Sequence, residues 1–160
     1  MMTTHEIDKK TLFAFLEEIK DPEVPVLSII DLGIVRDIKY NDDELELIIT
    51  STYTGCPAMD MIAADIRSQL TTLGFKKIKV TQSLSPPWTT DWMSESGKRK
   101  LQEYGIAPPD KRFSIPMDGV ACPLCDSNNT RLVSEFGSTA CKALYQCKDC
   151  LEPFDYFKCH

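Results

Sequence analysis

The sequence predicts an α+β fold in which a small two-layer αββαβ domain precedes a cysteine-rich β module. Two segments have apolar residues at a helical period, and β-rich runs lie between and after them. Six of the seven cysteines lie between Cys122 and Cys159. A chain of 160 residues suffices for one modest domain and a small satellite. We expect the domain over 1–85, an extension helix and linker over 86–119, and the module over 120–160.

The first helix is expected in "IDKKTLFAFLEEIK", with Asp8 as its N-cap and its end before Pro22. Its apolar face consists of Ile7, Leu12, Phe13, Leu16 and Ile19. The next stretch, "DPEVPVLSIIDLG", has two prolines within four residues, which preclude regular structure. The sequence therefore predicts an extended, turn-rich loop up to Gly33.

Two β-rich runs, "IVRDIKY" and "ELELIITSTY", predict an antiparallel strand pair that turns at 41–43. The second helix is expected to start at Pro57 and to stop at Gly74. Its apolar positions are Met59, Ile62, Ala63, Ile66, Leu70 and Leu73. "FKKIKVTQSL" then forms a third strand, and both helices are expected to cover one face of the sheet.

Cys56 stands alone, between the second strand and the second helix. Gly55 permits an unusual backbone conformation and Pro57 favours the first helical position, so Cys56 is expected at or next to the N-cap. A helix N-terminus favours a thiolate and lowers the pKa of a cysteine there. Such a thiol is a nucleophile or a metal ligand; a small buried residue filling the junction is the alternative, and position alone does not decide between them.

Four stretches of the chain carry a resemblance to a known family. They are "DPEVPVLSIIDLGIV" at 21–35, "TYTGCP" at 52–57, "SPPWTTDWMSESGKRKLQEYGIAPP" at 85–109 and "SEFGSTACKALYQCKDCLEPFDYFKC" at 134–159. The first two resemble the paired signature of the iron–sulfur cluster assembly domain family, which includes SufT-like proteins. All four together resemble the PaaD family of phenylacetate degradation proteins, also described as D or J subunits of phenylacetyl-CoA oxygenase (1,2-epoxidase).

The resemblance implies that Cys56 is the reactive cysteine of the assembly domain and that Asp21 and Glu23 are the acidic pair of its loop. A thiolate beside two carboxylates combines soft and hard ligands, which could hold a ferrous ion loosely enough to pass it on. Nearby carboxylates also raise the pKa of a thiol, which opposes the effect of the helix N-terminus. A role as a turn residue after the first helix is the alternative for Asp21, and Glu23 stays equally open.

The middle of the chain, Ser85–Gly119, contains two tryptophans, a short helix around "SESGKRKLQEYG" and a proline-containing linker, "APPDKRFSIPMDG". Trp88 and Trp92 are expected to pack in the core rather than to bind a ligand, because aromatic side chains bury large areas.

Two CxxC pairs in the tail, "CPLC" at 122–125 and "CKDC" at 147–150, carry the strongest signal in the sequence. Two such pairs supply the four thiolates of a tetrahedral structural zinc site, so we expect a zinc ribbon. The predicted ligands are Cys122, Cys125, Cys147 and Cys150. Zinc would stabilise a module too short to bury a sufficient core. An iron–sulfur cluster on a different set of four thiols is the alternative.

Cys141 and Cys159 have no second cysteine at knuckle spacing. We expect Cys141 to be a packed thiol and Cys159 an exposed one. A weak terminal metal clip formed by Cys159 and His160 is the alternative, on which we do not rely. The aromatic residues Phe154, Tyr156 and Phe157 are expected to offer a docking surface on the ribbon; core packing is the alternative.

Several function classes find no support. His5 and His160 are the only histidines, and both lie at the chain ends, so a Cys–His or Ser–His–Asp centre is not expected. Neither GxxxxGK[ST] nor GxGxxG occurs. The net charge of −6 argues against nucleic acid as a partner. No apolar run is long enough to span a membrane and no secretory segment is recognised, so a cytoplasmic location is expected.

By resemblance, the expected function is non-enzymatic: an accessory protein that helps to assemble or deliver iron or iron–sulfur centres to the phenylacetyl-CoA epoxidase. Its expected partners are oxygenase or reductase subunits or iron–sulfur assembly proteins, with a homodimer through an exposed sheet edge as a further expectation. The alternative is a stoichiometric structural subunit of the oxygenase without metal transfer. A thiol redox protein is disfavoured because Cys56 has no nearby resolving cysteine.

Overall fold

The computed structural model describes residues 7–41, 43–109 and 115–158, which belong to two compact units. The first unit contains α1 (Lys9–Leu16), β1 (Val35–Asn41), β2 (Glu44–Ile49), α2 (Ala58–Thr72) and β3 (Lys77–Gln82). The second contains α3 (Glu95–Glu103), β4 (Ile106–Ala107), β5 (Thr130–Ser134), β6 (Lys142–Cys147) and β7 (Pro153–Phe157). A 3₁₀ turn, Thr90–Trp92, lies between β3 and α3 in chain order. The α+β class and the αββαβ order are confirmed.

Helix α1 begins as the sequence predicts, because the Asp8 carboxylate accepts a hydrogen bond of 2.7 Å from the Thr11 N–H. It ends at Leu16, earlier than expected. Ile19 nevertheless stays buried, since the chain folds back at once into the proline-containing loop. There the Ile29 N–H donates to the Ile19 carbonyl at 3.0 Å, which closes the loop on itself.

The sheet of the first unit has the order β1-β2-β3. Strands β1 and β2 are antiparallel, as expected, whereas β2 and β3 are parallel with α2 as the crossover between them. Leu45, Leu47 and Ile49 alternate along β2 and are buried, while the intervening side chains are half-buried. Helix α2 contacts β3 and α1, and its buried residues are Ala58, Met59, Ile62, Ala63, Ile66 and Leu70. The loop that contains Cys56 runs from the end of β2 to the start of α2, so both of its ends are held by regular structure.

Trp88 packs in the core of the first unit, as predicted. It is 4% exposed, and its Nε1–H donates to the Leu32 carbonyl at 2.7 Å. Trp92 is half-buried, with the Arg36 guanidinium 3.5 Å from the centre of its ring. Gly33 lies between these contacts with φ +70°, and a Cβ there would come within 2.4 Å of the Trp92 carbonyl oxygen. Only glycine fits this position without a shift of the backbone.

The sheet of the second unit has the order β4-β7-β6-β5, so β7 is an interior strand. Phe154, Tyr156 and Phe157 are at most 4% exposed, and Tyr145 stacks on Phe154 with ring centroids 5.8 Å apart. The expected aromatic docking surface is therefore wrong and core packing is right. An interior strand with partners on both sides and packed faces leaves these rings no access to solvent.

In the described parts of the chain, no helix combines the length and apolar character that crossing a bilayer requires. The expectations for His5, Cys159 and His160 lie outside the described residues.

Candidate functional site

The four cysteines of the two CxxC pairs converge on one point. The Sγ atoms of Cys122 and Cys150 are 3.8 Å apart, those of Cys125 and Cys147 are 3.5 Å apart, and all four lie within 4.8 Å of one another. Four sulfurs bound tetrahedrally at about 2.3 Å from one ion would be separated by about 3.8 Å. We call this group the four-cysteine cluster, and its spacing fits a single tetrahedral metal ion.

Backbone N–H groups donate hydrogen bonds to the cysteine sulfurs of the cluster, which favours their thiolate form. Each CxxC pair is followed by a residue in the left-handed region, Asp126 at φ 62° and Leu151 at φ 66°. The N–H groups of the next residues, Ser127 and Glu152, donate to the sulfurs of Cys125 and Cys150. The Cys150 N–H lies 3.5 Å from the Cys147 Sγ and is the main reason that the pKa of Cys147 falls to about 7. Burial raises the pKa of Cys122. A bound cation would favour the thiolate at every position.

Hydrogen bonds outside the cluster join the two CxxC segments. The Asn129 side-chain amide donates to the Asp149 carboxylate at 2.8 Å, and the Ser127 hydroxyl donates to the other oxygen of that carboxylate. These bonds hold the pKa of Asp149 below its ordinary value. The second CxxC is thereby fixed against the turn that follows the first, which orients the ligands independently of the ion.

Cys141 is buried at 3% exposure, and its sulfur lies 3.0 Å from the Thr139 hydroxyl. It is not part of the four-cysteine cluster. An alternative metal site that includes Cys141 would have to separate thiols that the fold already brings together.

Cys56 lies in the loop between β2 and α2. Pro57 is the N-cap of α2 rather than its first helical residue, so Cys56 sits directly before the cap. Gly55 has φ +79° and open space around it, and this left-handed residue reverses the chain just ahead of the cysteine. The Cys56 sulfur accepts a hydrogen bond from the Ala58 N–H and is half-buried. It thus lies at the helix start, as expected, and is partly accessible.

The acidic loop lies near this thiol. Asp21 is 7% exposed, and its Oδ1 accepts hydrogen bonds from the N–H groups of Glu23 and Val24 at 2.8 and 2.9 Å. One oxygen of Asp21 therefore has the turn role that the sequence left open. Glu23 is half-buried, and both carboxylates are close enough to act on the charge of Cys56.

The pKa of Cys56 lies above its ordinary value, and not below it as the helix position predicts. Burial is the largest cause. Hydrogen bonds from Ala58 and Tyr53 oppose it, while the negative charges of Glu23 and then Asp21 add to it. The carboxylates therefore raise the pKa of Cys56, as expected. The loss of water around the sulfur raises this pKa by more than the start of α2 lowers it.

The two cysteine sites differ in compactness. Among the described residues, the four-cysteine cluster is the only group of three or more histidine, cysteine or acidic side chains whose ligand atoms all lie within 4.8 Å. Cys56, Asp21 and Glu23 share a neighbourhood without forming such a cage. The first arrangement has the spacing of a closed metal site, and the second is an open group of one thiol and two carboxylates.

The sequence reasoning missed Tyr53. Its hydroxyl lies 3.3 and 3.4 Å from the two carboxylate oxygens of Glu23, and Tyr53 is close enough to Cys56 for its hydroxyl to lower the pKa of that thiol. The β-rich run "ELELIITSTY" was expected to continue through Tyr53, but β2 ends at Ile49. The available signal was its position three residues before Cys56 in the "TYTGCP" motif.

Comparisons with known proteins also divide the chain into an N-terminal and a C-terminal part. A family profile described as "Iron-sulfur cluster assembly protein" matches residues 9–81, and one described as "PaaD zinc beta ribbon domain" matches residues 107–158. A solved domain of unknown function DUF59 from Bacillus anthracis is 31% identical, with a TM-score of 0.54 over 58% of this chain and 90% of that one.

Two curated relatives match different shares of the chain. A putative D subunit of 1,2-phenylacetyl-CoA epoxidase from Escherichia coli is 49% identical over 92% of this chain and 91% of the relative. An "Fe-S protein maturation auxiliary factor" of Bacillus subtilis is 35% identical over 58% of this chain and 92% of that protein. The chain therefore belongs to the PaaD family, with an iron–sulfur cluster assembly domain followed by a PaaD zinc beta ribbon domain.

Proposed function

We propose that this protein is an accessory factor for maturation of the phenylacetyl-CoA epoxidase system, which carries iron transiently at Cys56 and delivers it to an oxygenase or reductase subunit. The observation that carries the proposal is the accessible Cys56 thiol beside the carboxylates of Glu23 and Asp21. The relative named as an Fe-S protein maturation auxiliary factor supports the maturation role. The relative named as an epoxidase subunit supports the phenylacetyl-CoA epoxidase as the system served.

Transfer at this site is a ligand exchange. The Cys56 thiol gives its proton to solvent when its sulfur binds a ferrous ion, and carboxylate oxygens complete part of the coordination. A ligand from the recipient then replaces the sulfur, with no change in the oxidation state of iron. An open group of one soft and two hard ligands binds weakly enough for this exchange.

In this proposal the four-cysteine cluster holds a structural zinc ion through Cys122, Cys125, Cys147 and Cys150. The sulfur–sulfur distances of 3.5 and 3.8 Å support one ion with four thiolate ligands. An iron–sulfur cluster would place several iron and sulfide atoms between its thiolates and would need a wider opening. Zinc here would stabilise the second unit and leave iron handling to Cys56.

The test replaces Cys56 by serine in cells that depend on this protein for epoxidase activity. Cys141→Ser is the matched control, because it removes a thiol outside both sites. We expect the Cys56 variant to accumulate epoxidase with depleted iron and little activity, and the control to behave as wild type. Full epoxidase activity and iron content in the Cys56 variant would refute transfer through this thiol.

A second candidate is a stoichiometric structural subunit without metal chemistry. The word "subunit" in the name of the 49% identical relative favours it. Purification of mature epoxidase separates the two candidates: a structural subunit stays with the complex in a fixed ratio, whereas a maturation factor is absent from it.

A further inference from the structure

Tyr53 lies where the two candidate iron ligands of opposite character meet. Its hydroxyl oxygen is nearly equidistant from the two carboxylate oxygens of Glu23, at 3.3 and 3.4 Å, and Tyr53 is close enough to Cys56 for its hydroxyl to lower the pKa of that thiol when it turns towards the sulfur instead. Tyr53 and Cys56 belong to one loop, while Glu23 comes from a loop 30 residues earlier. The hydroxyl therefore connects two segments that are distant in sequence.

Of the two carboxylates, Glu23 is the one that the Tyr53 hydroxyl contacts. Asp21 is already fixed, because its Oδ1 accepts two backbone hydrogen bonds and the residue is 7% exposed. Glu23 has a longer, half-buried side chain with more rotatable bonds. A hydrogen bond from a tyrosine limits the positions that this carboxylate samples, and the half-buried ring of Tyr53 anchors the donor.

We propose that Tyr53 is a positioning residue for iron, whose hydroxyl holds the Glu23 carboxylate towards the Cys56 sulfur so that both bind the same ion. This inference rests on the function proposed above. Tyr53 itself does not bind the metal: its hydroxyl keeps one hydrogen bond to the ligating carboxylate after the ion arrives. Partners of this kind set metal affinity by about 10–100-fold.

Tyr53→Phe tests the role, because it removes the hydroxyl and keeps the ring. Tyr40→Phe is the matched control: the Tyr40 hydroxyl donates to the Ile7 carbonyl at 2.6 Å in the same unit, away from the Cys56 loop. The full chain is first loaded with zinc to fill the four-cysteine cluster. Co²⁺ is then titrated without oxygen, and the thiolate-to-cobalt absorption band reports binding at Cys56.

We expect Tyr53→Phe to weaken Co²⁺ binding about tenfold or more. The band at saturation and the thermal unfolding midpoint should match wild type, and Tyr40→Phe should bind as wild type does. Unchanged or tighter Co²⁺ binding by Tyr53→Phe overturns the positioning role. So does a different band at saturation, since that would make Tyr53 a ligand.

A double-mutant cycle guards against a general loss of stability. If Tyr53 acts through Glu23, the Tyr53→Phe effect disappears in a Glu23→Ala background; if it persists in full, the role is wrong. Cys56→Ser separates this inference from the proposed function. A wild-type band that survives Cys56→Ser refutes both, whereas a band that depends on Cys56 but not on Tyr53 refutes only the positioning role.

Discussion

Replacement of Gly33 by alanine should strongly destabilise the first unit. Gly33 has φ +70°, a conformation that costs an L residue about 1–2 kcal/mol. Its new Cβ would also lie 2.4 Å from the carbonyl oxygen and 2.9 Å from the Cβ of Trp92, contacts that force the backbone to move. Overpacking of this kind costs about 1–3 kcal/mol. The expected total loss is therefore about 2–5 kcal/mol.

Gly55→Ala is the matched control, because Gly55 has φ +79° and a Cβ at this position would meet nothing within 4 Å. It should lose only the conformational part, about 1–2 kcal/mol. Urea unfolding followed by tryptophan fluorescence measures both variants, since Trp88 and Trp92 are the chain's two tryptophans and both lie in the first unit. Equal losses for the two variants would refute the steric argument and leave φ as the whole effect.

Three further predictions concern the cysteines and their turns. Cys125→Ser should lose the metal of the four-cysteine cluster and unfold the second unit, whereas Cys141→Ser should keep it; equal metal contents by elemental analysis would contradict this. Alkylation of Cys56, followed by mass spectrometry, should accelerate as pH rises towards its raised pKa, and Glu23→Gln should move the midpoint to lower pH by removing a negative charge. An unmoved midpoint would argue against that contact. Leu151→Asn should stabilise the metal-loaded chain by up to about 1 kcal/mol in urea unfolding, since Leu151 is 68% exposed at φ 66° and asparagine tolerates this conformation; a loss would contradict it.

Much of the fold could be predicted from local pattern. The helical period around Ile62 and Ile66, the alternation of Leu45 and Leu47, and the two CxxC pairs each specify an element or a ligand set by themselves. The parallel pairing of β2 with β3 depends on where the α2 crossover returns the chain, which no local window contains.

The position of Cys56 was predictable from the sequence, but the electrostatics around it were not. Cys56 does lie at the start of α2, yet burial moves its pKa in the opposite direction to the helix terminus, and burial is a tertiary property. Phe154 and Tyr156 were expected to face a partner because the sequence does not show that β7 is an interior strand. Tyr53 escaped notice because its partner Glu23 is 30 residues away.

Strand β3 forms one edge of the described three-stranded sheet, and its charges bear on aggregation. Lys77 and Lys79 are exposed on this strand and pair loosely with Asp43 and Glu46 on the neighbouring chain segment, at 3.8 and 3.3 Å. A second copy that added a strand to this edge would have to remove water from these exposed ammonium groups. The open edge is thereby protected against runaway strand addition, which favours colloidal stability at high concentration in solution.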